Sequence, residues 1–194
     1  QSRVAADLLG NEQLGKIAAE RTVRRLGART VPTGKYPVVF DNTVSGGLMG
    51  HLIGAISGGV LYRKASFLNE CLGTQVLSDI VHLREEPHVL RGLSSTYFDS
   101  EGVATQARDI IKGGVVEGYF LSSYSARKLG MQTTANAGGA HNLVLQATDT
   151  GLEALLAKMG TGLLVTELMG QGVNMLTGDY SRGAAGFWVE NGVI

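Results

Sequence analysis

The chain has 194 residues, a length at which one domain buries roughly two thirds of the surface its unfolded form exposes, so no disulfide or metal staple is required. Seventeen basic and seventeen acidic side chains cancel, which leaves no cationic excess to drive binding to a nucleic-acid backbone. The single cysteine, Cys71, excludes an internal disulfide and suits a reducing compartment, so a cytoplasmic location is expected.

The N-terminal QSRVAADLL carries an arginine and an aspartate and lacks the apolar core of a signal peptide. From Asn11 to Leu26, NEQLGKIAAERTVRRL predicts a helix, with Asn11 as cap, an acid in the first turn, Arg24 and Arg25 in the last, and Gly27 to end it. PTGKYPVVFDN then predicts a short strand at Pro37–Phe40.

Beyond that strand, Gly46, Gly50, Gly54 and Gly58 recur every four residues and would form a bare stripe on a helix, open to close approach by another backbone. Four glycines cost a helix about 1 kcal/mol each relative to alanine, so packing must compensate. A buried helix is expected, with Leu48, Leu52, Ile53 and Ile56 in the core, and VLYRKASFLNECLG continuing in helical composition to Gly73. Residues 43–62 lack Asp, Glu, Lys and Arg, but the abundant Gly and Ser and the central His51 argue against a membrane span.

TQVLSDIVHLREEP predicts a strand cut off at Pro87, and ARDIIKGGVVEGYFLSSY two strands around a Gly113-Gly114 hairpin turn. TDTGLEALLAKMG predicts a short helix with a polar cap, ending at Gly160, and LLVTEL a buried strand. Asn191-Gly192 is a two-residue hairpin signal with only Val193 and Ile194 after it. A hairpin needs a return strand and Gln1 is not an initiator methionine, so the sequence is expected to be a fragment of a longer chain.

His51 is the natural candidate for a metal ligand. A zinc helix needs a second histidine at i+4 or i+5, and those places hold Ala55 and Ile56, so a hydrogen-bonded or interfacial histidine is the expected role. HLREEPH concentrates His82, Glu85, Glu86 and His88, but Pro87 and strand alternation scatter them, and a solvated strand end is expected. In ANAGGAHNL, Gly138, Gly139 and His141 form a loop whose amides could meet a carboxylate or a peptide, although a tight turn explains the glycines equally well. VPTGKY fails as a phosphate loop because Arg29 replaces its first glycine and Tyr36 its Ser or Thr, and neither GTGLLV nor GQGVNM completes a dinucleotide motif.

Several longer motifs point to a family. GHLIGAISGGVLYRKASFL, GLSSTYFDSEGVATQARDIIKGGVVEGYFLSSYSARKLG, AGGAHN, LLVTELMGQGVN and TGDYSRGAAGFWVENG, in that order from about Val38 to the end, resemble the C-terminal domain of the TldD/PmbA family, in its PmbA (TldE) branch. The resemblance implies an α+β fold with a mixed or antiparallel sheet, a buried glycine-rich helix and flanking helices. It also implies that residues 1–194 are one C-terminal domain, with an N-terminal domain and a final C-terminal segment lying outside it.

Family members are cytoplasmic zinc-dependent peptidases acting on unstructured peptides, including leader peptides and an antitoxin, and were first described as modulators of DNA gyrase. The TldD branch holds its metal with a His-Glu-x-x-x-His helix and a later cysteine. Gly50, His51 and Ala55 fall where that motif has His, Glu and His, so every member is replaced. The resemblance therefore implies a non-catalytic subunit that carries no cofactor and makes a homodimer or a heterodimer with a zinc-bearing TldD-like subunit. A non-proteolytic interaction module acting on DNA gyrase or its inhibitor is the alternative.

Overall fold

Gly113 and Gly114 hold φ values of 56° and 77°, the left-handed backbone that a two-residue hairpin turn demands. In the computed structural model, which describes residues 1–194, this turn joins β3 (Arg108–Lys112) to β4 (Val115–Val116). A Cβ on Gly114 would collide with the Leu77 carbonyl oxygen, so glycine is required there on two grounds. β2 (Leu83–Glu85) and β5 (Leu143–Leu145) complete an antiparallel sheet of order β4-β3-β2-β5. Along β2, Leu83 and Glu85 face inward and Arg84 outward, the alternation that a half-buried strand imposes.

This sheet belongs to the larger of two compact units, comprising residues 1–3, 48–148 and 172–180. Its core gathers Ile56, Leu61, Ile110, Ile111, Val116 and Leu121, each 4 % exposed or less. Full burial of an Ile or Leu side chain contributes about 1.5–3 kcal/mol, so these residues contribute substantially to the unit's drive to fold. A six-residue helix in this unit, Ser123–Lys128, was not anticipated. Its cap is reciprocal: the Ser122 hydroxyl accepts from the Ser125 amide and the Ser125 hydroxyl from the Ser122 amide, satisfying two donors at the helix start.

The second unit comprises residues 4–47, 149–171 and 181–194. Its three-stranded sheet has the order β1-β6-β7, with β1 (Val38–Phe40) parallel and β7 (Gly183–Val189) antiparallel to the central β6 (Gly162–Met169). Gly186 on β7 lies so close to β6 that a Cβ would strike the Leu164 carbonyl oxygen. Leu156, Leu164 and Val189 form its small core, so the structure has two cores where chain length alone suggested one. Helix α1 (Asn11–Val23) buries no residue, and it stops short of Gly27, whose φ of 74° turns the chain. Gly10 rather than Asn11 is its cap, and Arg24 and Arg25 lie past its end, where Arg24 covers the Phe187 ring and Arg25 pairs with Glu167.

The glycine-rich helix α2 (Asn42–Ala55) meets expectation only in part: Leu52 and, just past its end, Ile56 lie in the core and Ile53 packs against it, while Leu48 stays half-buried. Only Leu52 and Ala55 are buried on it, and side chains added at Gly46 or Gly50 would meet nothing within 4 Å. The stripe is therefore not a close-packing surface along its length. Close approach is confined to its end: Gly54 faces Met175, and Gly58 is pressed against Ser125 and Leu121. The helix breaks at Ser57 because the chain is drawn to Phe120, whose carbonyl accepts the Gly58 amide while its own amide donates to the Ile56 carbonyl. After a single turn, α3 (Gly58–Leu61), the segment to Gly73 is not helical as its composition suggested. Lys64 and Glu70, at φ 55° and 59°, fold it into turns, and Ser66 ties it back through its hydroxyl to the Ala55 carbonyl. No helix in the chain is long and apolar enough to cross a membrane.

Candidate functional site

Helix α2 starts where Asp41 caps it, accepting the Thr43 amide at 2.9 Å through its carboxylate. The Thr43 hydroxyl and amide hold the Asp41 carboxyl below its ordinary range against the opposing effect of burial, with Arg21 assisting. Two turns further on lie the three positions that the family resemblance singles out. Gly50 is exposed and carries no donor atom. The His51 ring is half-buried and packs edge-on against Tyr180, centroids 5.9 Å apart at 71°. Ala55 is 0 % exposed within the core of the larger unit.

One imidazole among three positions does not fit a catalytic zinc, which takes three protein ligands and keeps one place open. A larger side chain at 55 would also have to displace core atoms, because the Cβ there already points into packed protein. Nowhere in the chain do three or more His, Cys, Asp or Glu residues converge as a metal site.

The HLREEPH residues separate, but not into a solvated strand end. His82 accepts the Gly113 amide through Nδ1 at 3.2 Å. His88 Nε2 lies 3.0 Å from the Thr105 hydroxyl, whose own proton goes to the Thr96 carbonyl, so His88 is the donor. Glu86 pairs with Arg84 at the surface. Glu85 is 1 % exposed, the reverse of a solvated residue. Its carboxylate accepts from Arg108 Nε at 2.9 Å, from Asn136 Nδ2 at 2.8 Å and from the His141 amide at 2.8 Å. Burial of a carboxylate is tolerable only with such full pairing, and here the partners come from β3 and from the glycine loop.

Glu85 thereby fixes the 134–142 loop from behind. Asp99, 5 % exposed, does so from a second side by accepting the Ala137 amide at 3.0 Å, together with those of Glu101 and Val103. Burial works to raise the Asp99 carboxyl, but the Val103, Ala137 and Glu101 amides outweigh it, aided by His141, and hold it below the usual carboxylate range. The His141 ring donates through Nε2 to the Ala135 carbonyl at 2.9 Å and so stiffens the loop. Gly138 and Gly139 adopt φ values of 104° and 121°, backbone closed to other residues. Between this loop and the Phe98–Ser100 turn lies a cleft of about 360 Å³, bordered by Gly138, Gly139 and His141, so the three loop residues singled out in the sequence do share one surface. Sequence reasoning missed Asp99 and Asn136, which shape it, and placed Glu85 at a solvated strand end where it is buried.

Residues 33–194 match the family model described as PmbA/TldA metallopeptidase C-terminal domain. The chain is 56 % identical to Metalloprotease PmbA from Escherichia coli over 99 % of its own length and 43 % of that protein's. It is 55 % identical to a Metalloprotease PmbA homolog from Haemophilus influenzae over 93 % of its length and 40 % of the relative's. Among solved structures it superposes on a candidate modulator of DNA gyrase from Bacteroides thetaiotaomicron with a TM-score of 0.93 and 39 % identity, covering 98 % of this chain and 43 % of that one. TldE from Thermococcus kodakarensis follows at a TM-score of 0.73 and 25 % identity, covering 91 % and 44 %. The chain spans less than half the length of these relatives. Its α+β arrangement of two sheets with helices is theirs as well, and the chain belongs to the PmbA/TldD metallopeptidase family, of whose C-terminal domain it forms the matched part.

Proposed function

We propose that this chain is the C-terminal part of a PmbA/TldE-type subunit in a cytoplasmic TldD/TldE-type peptidase that acts on unstructured peptides such as leader peptides and antitoxins. The subunit carries no zinc of its own and completes a dimer whose catalytic metal sits in a TldD-like partner. One observation carries this reading. At the three positions of the zinc helix the chain has Gly50, a His51 engaged with Tyr180, and a core-facing Ala55, a set without the ligands to activate a metal-bound water. Likeness to TldE supports the subunit type, and the names of the PmbA relatives support peptide hydrolysis by the assembly.

The test is cleavage of an unstructured peptide by the full-length protein, alone and mixed with a TldD-like subunit. Chelator-sensitive cleavage only in the mixture is expected, and cleavage by the protein alone overturns the reading. A second reading, a non-proteolytic module acting on DNA gyrase or its inhibitor, draws on the description of structural neighbours as candidate gyrase modulators. Retention of gyrase, and not of a TldD-like subunit, by the immobilised protein would favour it.

A further inference from the structure

The cleft beside the 134–142 loop is a built feature with unspent hydrogen-bonding capacity. Its backbone is costly to hold: Ala135 sits at φ 57° without being glycine, and Gly138 and Gly139 occupy glycine-only regions. The inward groups of the loop are saturated. Ala137 donates to Asp99, Gly139 to the Asn136 carbonyl and His141 to Glu85, while the Ala137 carbonyl accepts the Ser100 amide. The amides of Gly138 and Ala140 donate to no group of the protein, and their carbonyl oxygens accept from none. Ser100 presents its hydroxyl so near Gly138 that a Cβ there would lie 2.6 Å from it.

Charge decides between the two ligand classes that the glycines alone left open. No Lys or Arg lines the cleft, and its one carboxylate is Asp99. A phosphate or free carboxylate would meet that negative charge with no Lys or Arg to offset it. A neutral peptide backbone meets the loop on equal terms, because it brings carbonyls for the two spare amides and amides for the two spare carbonyls. Phe98, 62 % exposed on the opposite border, supplies an apolar wall for one side chain. The cleft volume of about 360 Å³ lies at the small end of ligand sites, enough for a few residues in extended form.

We propose that this cleft binds a short, uncharged, extended stretch of polypeptide, with the Gly138 and Ala140 amides donating to its carbonyls and Phe98 packing on one of its side chains. It deepens the peptide-handling reading above and rests on it only for the choice of ligand.

Isotope-labelled full-length protein is titrated with a short capped peptide of alanine, serine and valine, followed by the amide resonances of residues 138 and 140 and by fluorescence anisotropy of the labelled peptide. Both resonances shift on binding, Phe98→Ala weakens affinity about tenfold without changing the melting temperature, and millimolar inorganic phosphate does not compete. Unmoved resonances, unchanged affinity in Phe98→Ala, or displacement of the peptide by phosphate would each overturn the inference. Cleavage of the same peptide by the mixture with a TldD-like subunit is scored separately. A mixture that fails to cleave while residues 138 and 140 respond sinks the subunit assignment and leaves the cleft standing, and the converse result does the opposite.

Discussion

Glu85 and Arg108 are directly opposed across the β2–β3 pair, and the 2.9 Å contact between Glu85 Oε2 and Arg108 Nε is an ion pair whose carboxylate is buried. The arginine also donates to the Asn136 side-chain oxygen Oδ1 and lies over the Phe120 ring, so strand, loop and core meet at one guanidinium. Removal of the carboxylate leaves the His141 amide unpaired and the guanidinium with Asn136 as its only acceptor. Glu85→Ala is expected to cost about 3 kcal/mol, the low end for breaking a buried pair because Arg108 keeps some exposure. Glu85→Gln, which still accepts hydrogen bonds, should cost clearly less. Urea unfolding of both variants checks this ordering, and equal losses would show that packing, not pairing, is what Glu85 supplies.

The glycines of α2 separate by sign. At Gly50, where nothing lies within 4 Å of an added Cβ, alanine should stabilise by roughly 0.5–1 kcal/mol through helix propensity alone. At Gly58, pressed against Ser125 and Leu121, alanine should destabilise by about 1–3 kcal/mol by overpacking. Thermal melts of the two single variants decide the matter.

This contrast shows what the sequence could and could not convey. Turn chemistry was legible because it is local: Gly113-Gly114, Gly160 and Asn191-Gly192 all take positive φ where they were expected to. Helix α2 was legible as a helix, but its glycine spacing describes one face and not what covers it. The break at Ser57 and the turns at Lys64 and Glu70 depend on Phe120 and Ser66, contacts that residue order does not announce. Helix Ser123–Lys128 escaped because two serines cap it where Ser and Glu are the usual pair. The buried role of Glu85 left a faint signal, an inward place two residues from Leu83 facing an arginine on a neighbouring strand. That signal can be used only once the strand register is known.

Asp99 makes stability depend on pH in a defined direction. Its folded-state pKa lies below the ordinary 3.8, so the unfolded chain binds the proton first as pH falls. The stabilisation is complete above the unfolded value and is lost as pH drops through the folded one. Between about pH 5 and pH 2 the native protein should therefore lose stability more steeply than Asp99→Asn, as denaturant midpoints across that range would report. Parallel slopes would show that the carboxylate charge is not what the three amides hold.

Cys71 is expected to be chemically silent in the folded state. Burial lifts its thiol above the ordinary value, only partly opposed by the Tyr119 hydroxyl 3.9 Å away, and just 6 % of the residue is exposed. A thiol reagent at pH 8 should label it at the rate of unfolding, and labelling much faster than unfolding would refute this.

The helix that bears Gly50, His51 and Ala55 is proposed to hold no zinc, with Gly50 bare, His51 packed on Tyr180 and Ala55 turned into the core. Zinc quantification on the purified full-length protein tests it most directly. Far less than one zinc per chain after dialysis is expected, and one tightly held zinc per chain would overturn the proposal.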